Sequence, residues 1–247
     1  MALIHELEAQ GNWLFKRRGQ APVVLFLLAV PAVILANYSM IYPAKASFFS
    51  WFGIAFSIAG ALVRAYTIGT TPKGTSGRNT DKQVAEQLNS TGIYSVVRHP
   101  LYLGNFLMWI GIVIYTLNPG FVLMVSLLYW LYYERIMFAE ERFLEKQFGQ
   151  TYLDWSLKAP AFIPSMSGFI SPDVKFSLIS VLRREYSGWL ATVFGFVFVD
   201  LLREYTVRNQ WENYTIPLTV LGIFLTLTLV LRTLKHQTKL LNEEGRS

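Results

Sequence analysis

The 247-residue chain has no cysteine, three histidines and few charged side chains. Without cysteine, disulfides, thiolate catalysis and cysteine-based metal sites are excluded. The histidines lie far apart in sequence, at His5, His99 and His236, and their spacing fits no metal site. Charged residues account for only 15% of the chain, against roughly 25% in soluble domains. This low charge argues against a soluble protein.

Apolar residues are abundant and are gathered into long runs. Hydrophobic residues make up 53% of the chain and aromatic residues 15%, whereas the first 20 residues are polar. Each run is about as long as a helix that spans a bilayer, and the six runs cover residues 22–42, 48–68, 101–117, 121–138, 186–202 and 214–231. The helical pattern of the fourth run continues to about Phe148, too far to lie in the membrane throughout. We therefore expect an all-α, multi-pass integral membrane protein with about six transmembrane helices.

The positions of the basic residues predict the orientation of these spans. With six spans, both termini lie on the same side of the membrane. Of the Lys and Arg residues outside the span ends, 17 fall on that side and three (Lys45, Arg203 and Arg208) on the other. Because Lys and Arg in short loops favour the cytoplasm, we expect cytoplasmic termini, in a bacterial inner membrane. The net charge of +6 then reflects membrane orientation, and no nucleic-acid partner is expected.

The most informative stretch, TGIYSVVRHPLYLGNFLMWIG, covers residues 91–111 at the cytoplasmic start of the third span. Pro100 has a fixed φ and no N–H, which suits the first position of a helix. His99 therefore lies at the helix entrance, where unpaired N–H groups and the positive end of the helix dipole attract anions. Tyr102 shares its face, and Gly104 permits close approach of a backbone or a ligand. These residues predict a binding site at the cytoplasmic face.

The same stretch is part of a longer series of motifs. Gly92-Ile93-Tyr94 is followed by Arg98-His99-Pro100-Leu101-Tyr102-Leu103-Gly104, by Glu140-Glu141, by Phe148-Gly149-x-x-Tyr152, and by Pro160 and Pro164. In order and spacing this series, between residues 79 and 164, resembles the isoprenylcysteine carboxyl methyltransferase and phospholipid methyltransferase superfamily. The resemblance implies a membrane methyltransferase that binds S-adenosyl-L-methionine at its cytoplasmic face. The expected organisation is two transmembrane helices in residues 1–70, a methyltransferase core in 71–165 and a C-terminal extension with two transmembrane helices in 166–247.

The resemblance also implies roles for individual residues. The cofactor is expected beneath the helix that starts at Pro100 and beside the helix with the glutamate pair. Its implied contacts are Gln87, Leu88, Asn89, Tyr94, His99, Pro100, Leu101, Tyr102, Gly104, Glu140 and Glu141. In the family, an arginine shortly before the glutamate pair faces the substrate. Arg135 lies within about one residue of that position, and is assigned to catalysis and acceptor binding.

A polar loop before this series predicts where the acceptor binds. The segment TPKGTSGRNT, residues 71–80, combines two glycines with hydroxyl, amide and basic side chains. Glycines permit backbone turns that direct several N–H groups at one anion. The Arg78 guanidinium offers a planar fork suited to phosphate or carboxylate. We therefore expect Arg78 and Asn79 to contact an acidic group of the acceptor, with a solvated connector as the alternative.

Methyl transfer suits a site without a Ser/His/Asp set, because an anionic acceptor needs no general base and positioning can supply much of the rate. The candidate acceptors are a lipid headgroup, a prenyl-cysteine-like carboxylate and a small lipophilic thiol.

Two functions other than methyl transfer stay open. A membrane reductase of the related sterol reductase type would bind NADPH through Lys73, Arg78 and Lys82, although the glutamate pair would repel its phosphates. The second is a non-catalytic membrane scaffold. The oligomeric state also stays open.

Overall fold

The chain folds into α-helices joined by irregular segments. The computed structural model describes residues 2–36, 38, 43–72, 85–209 and 214–246. Within these ranges there are eight α-helices, a short 3-10 helix at Ile93–Ser95 and an isolated β-bridge between Gly92 and Ile170. The helices are α1 (Leu3–Arg17), α2 (Ala21–Ile34), α3 (Pro43–Gly69), α4 (Pro100–Tyr115), α5 (Pro119–Phe148), α6 (Gln150–Ser156), α7 (Leu178–Arg208) and α8 (Thr215–Gln237). The all-α prediction is confirmed.

Three helices are long and apolar enough to cross a membrane: α5, α8 and the Lys45–Gly69 part of α3. The apolar stretches of α2 and α4 are shorter. Many apolar side chains on the long helices face outward, since Trp51 is 70% exposed, Leu62 65% and Ile216 77%. Apolar surface of this extent is favoured in lipid and disfavoured in water. The chain is therefore an integral membrane protein, as predicted.

Helix α7 is longer than the fifth apolar run predicted. It begins at Leu178 and ends at Arg208, whereas the predicted span covered residues 186–202. The additional turns carry charged side chains, which end an apolar run without ending a helix. Glu204 and Arg208, for example, form an i,i+4 ion pair at 2.7 Å in the last turns. The helix therefore extends past the apolar segment at both ends.

Polar contacts gather at the two ends of the helix bundle. At one end, Arg203 Nη1 on α7 donates to Tyr115 O at the end of α4, at 2.8 Å. At the other end, Arg246 Nη1 donates to Gly69 O, the last residue of α3, at 3.1 Å. Gly60 on α3 lies against Gly104 on α4, and Gly53 lies against Gly111, so these two helices run in opposite directions. Glu141, towards the end of α5, meets His99 just before α4, so α5 runs opposite to α4. The start of α4 and the end of α5 consequently lie on the same side as Gly69.

Helices α3 and α4 pack backbone to backbone through glycines. A Cβ atom at Gly60 would lie 2.5 Å from Gly104 O, and one at Gly111 would lie 2.3 Å from Gly53 O. Small residues permit this close approach in pairs of membrane helices. The packing fixes the position of α4, the helix at whose start the predicted site lies.

The polar N-terminal residues form helix α1, which the sequence pattern did not predict. Gly11 and Phe15 are buried, and a Cβ atom at Gly11 would lie 2.0 Å from Arg135 O on α5. Lys146 Nζ donates to Glu8 Oε1 at 2.5 Å. Only a narrow stripe of α1 is apolar, so its helical period is hidden among polar residues. Helix α1 covers the last turns of α5.

Candidate active site

The residues before α4 are hydrogen-bonded to the irregular segment between α6 and α7. The Arg98 N–H donates to Pro160 O at 2.8 Å, and the His99 N–H donates to Ala161 O at 3.2 Å. Pro100 occupies the first position of α4, where its missing N–H leaves no donor unpaired. The backbone of Arg98 and His99 is therefore fixed before the helix begins, and both side chains reach α5.

His99 is buried, with 6% of its surface exposed, and its side chain does not cap α4. Its Nε2 atom lies 2.9 Å from Glu141 Oε1, and Nδ1 lies 3.8 Å from Glu140 Oε2. The ring stacks on Tyr102, with centroids 5.6 Å apart and an interplanar angle of 22°. The structure thus brings together four residues of the predicted site.

Glu141 is fully engaged by protein partners. Arg98 Nε and Nη2 donate to its two oxygens at 2.9 and 3.2 Å, while Nη1 donates to Ser156 O and Ala159 O at 2.7 Å. Burial alone would raise the pKa of Glu141. The hydrogen bonds and charges of His99 and Arg98 outweigh burial and lower this pKa to about 2. Glu141 lies beyond the predicted span 121–138, and it stays ionised at neutral pH.

Glu140 has an oxygen without a hydrogen-bond donor. Its Oε2 atom is buried and accepts no hydrogen bond from the part of the chain that the structure describes. The phenol groups of Tyr94 and Tyr102 lie within electrostatic range of this carboxylate. Burial, followed by the charge of Glu140, raises the pKa of Tyr94, so its phenol remains a donor. Since a buried anionic oxygen is costly without a donor, Glu140 is suited to bind a donor from a ligand.

Tyrosine side chains form a wall beside the glutamate pair. The Tyr129 and Tyr133 rings stack at 4.1 Å, and Tyr133 lies 5.0 Å from the Tyr102 ring. Tyr129 Oη donates to Tyr102 O at 2.7 Å. Tyr133 and Glu140 are seven residues apart on α5, which places them within about 20° on the same helix face. The rings of Tyr102, Tyr133 and Tyr129 therefore extend from the Glu140 carboxylate towards the apolar part of α5.

Arg135 lies on a different face of α5. It precedes Glu140 by five residues, which corresponds to about 140° around the helix. Its Nε atom donates to Gln10 Oε1 of α1 at 3.0 Å, and Nη1 donates to Leu131 O at 2.8 Å. The structure therefore gives Arg135 a partner on α1. Its catalytic and acceptor-binding role stays a prediction.

The remaining predicted residues surround the cluster or lie outside it. Gly104 faces α3, where a Cβ atom would lie 2.5 Å from Arg64 Cγ. Pro100 is buried and Leu101 half-buried in the first turn of α4. An irregular stretch contains Gln87, which is exposed, and Leu88 and Asn89, which are half-buried. The cofactor contacts of all these residues stay predictions. Residues 73–84 lie outside the described residues, and this range includes Lys73, Arg78, Asn79 and Lys82.

Sequence reasoning missed a buried charged group next to the site. Arg64 on α3 binds both oxygens of Glu185 on α7 and donates to Asn105 Oδ1 on α4 at 2.8 Å. An arginine within an otherwise apolar run is a signal in itself, because such residues pair with a partner or line a site. The partner lies 121 residues further along the chain, where no local pattern indicates it.

Comparison with known proteins identifies relatives over part of the chain. Residues 48–151 match the family model described as phospholipid methyltransferase. Over 116 residues the chain is 29% identical to protein-S-isoprenylcysteine O-methyltransferase B of Arabidopsis thaliana. The aligned residues are 46% of this chain and 58% of that protein. Over 77 residues it is 35% identical to protein-S-isoprenylcysteine O-methyltransferase of Schizosaccharomyces pombe, with coverage of 31% and 33%.

A relative with a different name is the nickel-cobalt-cadmium resistance protein NccN of Alcaligenes xylosoxydans xylosoxydans. The chain is 28% identical to it over 136 residues, which are 55% of this chain and 62% of that protein. The chain spans about half the length of the curated relatives it matches. No solved structure matches it. The region matched by the family model includes His99 and both glutamates but ends before α7.

Proposed function

We propose that this chain transfers a methyl group from S-adenosyl-L-methionine to a lipophilic acceptor. Residues 48–151 match the phospholipid methyltransferase family model, and protein-S-isoprenylcysteine O-methyltransferases are among the relatives, which confirms the superfamily that the motifs predicted. The group that accepts the methyl group is a lipid headgroup or a carboxylate at the cytoplasmic face. The observation that carries this proposal is the buried Oε2 atom of Glu140, which has no hydrogen-bond donor among the described residues.

The residues around Glu140 fit the polar end of this cofactor. Its sugar hydroxyls and ammonium group are hydrogen-bond donors, and an unpaired carboxylate oxygen is the acceptor that they require. Tyr94 and Tyr102 line the same carboxylate. A nicotinamide dinucleotide would instead bring phosphates beside Glu140 and Glu141, where like charges repel. This electrostatic difference favours methyl transfer over the reductase alternative.

When bound, S-adenosyl-L-methionine supplies a methyl group activated by a sulfonium. Transfer is an in-line displacement, so orientation by the protein can contribute roughly 7–11 kcal/mol. Glu141 holds Arg98 and His99, and the fixed His99 ring stacks on Tyr102 at the entrance of α4. These side chains orient the ligands, and an anionic acceptor requires none of them to remove a proton.

The membrane arrangement explains how a lipophilic acceptor would reach this site. The proposed spans are α2, α3, α4, α5, α7 and α8, with both termini in the cytoplasm and α1 at the cytoplasmic face. The cluster of His99 and the glutamates then lies at the end of the bundle that carries the excess of basic residues. An acceptor would keep its apolar part in the bilayer and present its acidic group to Arg78 and Asn79.

Calorimetry in detergent tests the cofactor assignment. Wild-type protein should bind S-adenosylhomocysteine and should not bind NADPH. Glu140→Gln should bind S-adenosylhomocysteine more weakly, because a neutral amide replaces the carboxylate acceptor. Glu145→Gln is the matched control, since Glu145 is on the same helix but pairs with Arg142 at 2.6 Å. Equal affinities of the wild type and both variants would contradict the assignment of Glu140.

A labelling experiment tests the acceptor. The purified protein is incubated with methyl-labelled S-adenosyl-L-methionine and a total lipid extract, and the lipids are then separated. Label in one lipid class, reduced in the Glu140→Gln variant, supports transfer to a lipid. Binding of S-adenosylhomocysteine without any labelled lipid would contradict a lipid acceptor. Absence of both binding and transfer would contradict the enzymatic function and leave the membrane scaffold.

A further inference from the structure

Arg64 and Glu185 form a buried ion pair between α3 and α7. Arg64 Nε and Nη2 donate to Glu185 Oε2 and Oε1, both at 2.7 Å. The Glu185 side chain is 1% exposed and that of Arg64 is 16% exposed. Two parallel hydrogen bonds make this a strong pairing geometry. Removal of one partner would leave an uncompensated buried charge.

The remaining guanidinium nitrogen of Arg64 reaches α4. Its Nη1 atom donates to Asn105 Oδ1 at 2.8 Å and lies 3.5 Å from Leu101 O. Gly104 lies between these two contacts, and a Cβ atom there would come within 2.5 Å of Arg64 Cγ. The missing side chain lets the arginine lie across α4. Arg64 therefore contacts the first two turns of the helix that follows His99.

The contacts continue from α4 to the candidate site. The Asn105 side chain lies within interaction range of the Tyr133 phenol on α5. The Tyr133 ring lies 5.0 Å from that of Tyr102, which stacks on His99. A displacement of the first turns of α4 would therefore be transmitted to Tyr102 and His99 through direct contacts.

Glu185 lies outside residues 48–151, the region that the family model matches. Inside that region, the Arg64 guanidinium contacts the neutral groups of Asn105 and Leu101. The carboxylate that pairs with it comes from α7. We propose that Glu185 is a positioning residue, which holds Arg64 so that Arg64 fixes the first two turns of α4. The C-terminal region then supports the active site from outside it, through the contact of Glu185 with Arg64.

The structural consequence of this pairing is independent of the reaction, whereas its effect on binding rests on the function proposed above. Glu185→Gln keeps the size of the side chain and removes its charge. The double variant Arg64→Met/Glu185→Met removes both charges and leaves apolar side chains, an exchange that often preserves stability. Glu204→Gln is the matched control, because Glu204 is on the same helix and pairs with Arg208 at 2.7 Å.

Two measurements follow the proposed positioning. The first is the affinity for S-adenosylhomocysteine, and the second is hydrogen exchange at the backbone amides of residues 101–106. Glu185→Gln should weaken the affinity about tenfold and accelerate this exchange. The double variant should unfold close to the wild-type temperature and still show both defects. Glu204→Gln should show neither defect.

The outcomes separate positioning from packing and from the proposed function. A stable double variant with wild-type affinity and wild-type exchange would overturn the positioning role. If Glu185→Gln does not fold, the positioning role is tested with the double variant alone. Faster exchange in the Glu185 variants, combined with a wild type that binds no S-adenosylhomocysteine, would contradict the proposed function and retain the positioning of α4. Faster exchange together with weaker binding supports both.

Discussion

Arg98 and Glu141 form a two-point ion pair, with Nε–Oε1 and Nη2–Oε2 distances of 2.9 and 3.2 Å. The pair joins the residues before α4 to the end of α5, and His99 Nε2 meets the same carboxylate at 2.9 Å. Glu140, one residue earlier, keeps a buried oxygen without a donor in the described part of the chain. Adjacent glutamates therefore have different roles: Glu141 binds protein groups, and Glu140 is proposed to bind the cofactor.

Separate replacement of the two glutamates should give opposite results. Glu141→Gln weakens the pairing of Arg98 and His99 in a partly buried site, so it should lower the thermal unfolding temperature. Glu140→Gln should leave the unfolding temperature nearly unchanged and weaken S-adenosylhomocysteine binding. Thermal unfolding and calorimetry on the same detergent preparations measure both properties. Indistinguishable variants would contradict the division of roles.

The stabilisation by Glu141 should depend on pH. Folding lowers the pKa of Glu141 from 4.5 to about 2. A carboxyl group of this kind stabilises the folded state fully above its unfolded pKa, and the stabilisation is lost as the pH falls through the folded pKa. The difference in unfolding temperature between wild type and Glu141→Gln should therefore be constant above about pH 5.5 and decrease from about pH 4.5 towards pH 2. An unfolding difference that stays constant down to about pH 3 would contradict this assignment.

Different parts of the molecule were predictable for different physical reasons. The apolar runs locate α3, α4 and α5 to within a few residues, because burial in lipid is a property of each side chain in turn. The link between His99 and the glutamate pair came from the superfamily resemblance, since 42 residues separate His99 from Glu141. Which glutamate meets His99 depends on the rotation of α5 about its axis. That rotation is set by packing against α1 and α4, which no local pattern contains.

The α3–α4 packing should be intolerant of a single methyl group. Gly60→Ala would place a Cβ atom 2.5 Å from Gly104 O, so the helices must separate, at a cost of about 1–3 kcal/mol. Gly222→Ala on α8 is the matched control, because nothing lies within 4 Å of a Cβ atom there. Thermal unfolding in detergent should show a loss for Gly60→Ala and none for Gly222→Ala. Equal unfolding temperatures would contradict the close backbone contact.

The six-span arrangement predicts where tags are accessible. Reporter tags at the N-terminus, after Lys158 and at the C-terminus should all report a cytoplasmic location. A tag inserted after Asn118, between α4 and α5, should report the opposite side. The expectation follows from the excess of basic residues on one side and from the alternating directions of α3, α4 and α5. A C-terminal tag on the outer side would contradict six spans with cytoplasmic termini.

The polar loop 71–80 supplies the prediction about the acceptor. It begins at Thr71, whose carbonyl accepts a hydrogen bond from Arg246 at 3.1 Å, on the same side of the bundle as His99. Arg78 itself lies outside the described residues, and its predicted role rests on the planar fork that guanidinium offers to phosphate or carboxylate. Arg78→Ala should therefore reduce methylation of the acceptor and leave S-adenosylhomocysteine affinity nearly unchanged.

Two further variants make this test specific to the fork of Arg78. Arg78→Lys keeps the charge but loses the paired donors, so it should recover only part of the activity. Arg17→Ala removes an exposed arginine of α1, whose Nη1 atom lies 3.5 Å from Trp13 O, and should leave methylation unchanged. Methylation kinetics and calorimetry on the three variants are compared with the wild type. Equal losses of cofactor affinity and turnover in Arg78→Ala would move Arg78 from the acceptor to the cofactor. Normal methylation by this variant would make the loop a connector, because an arginine that binds the acceptor's acidic group cannot be removed without loss.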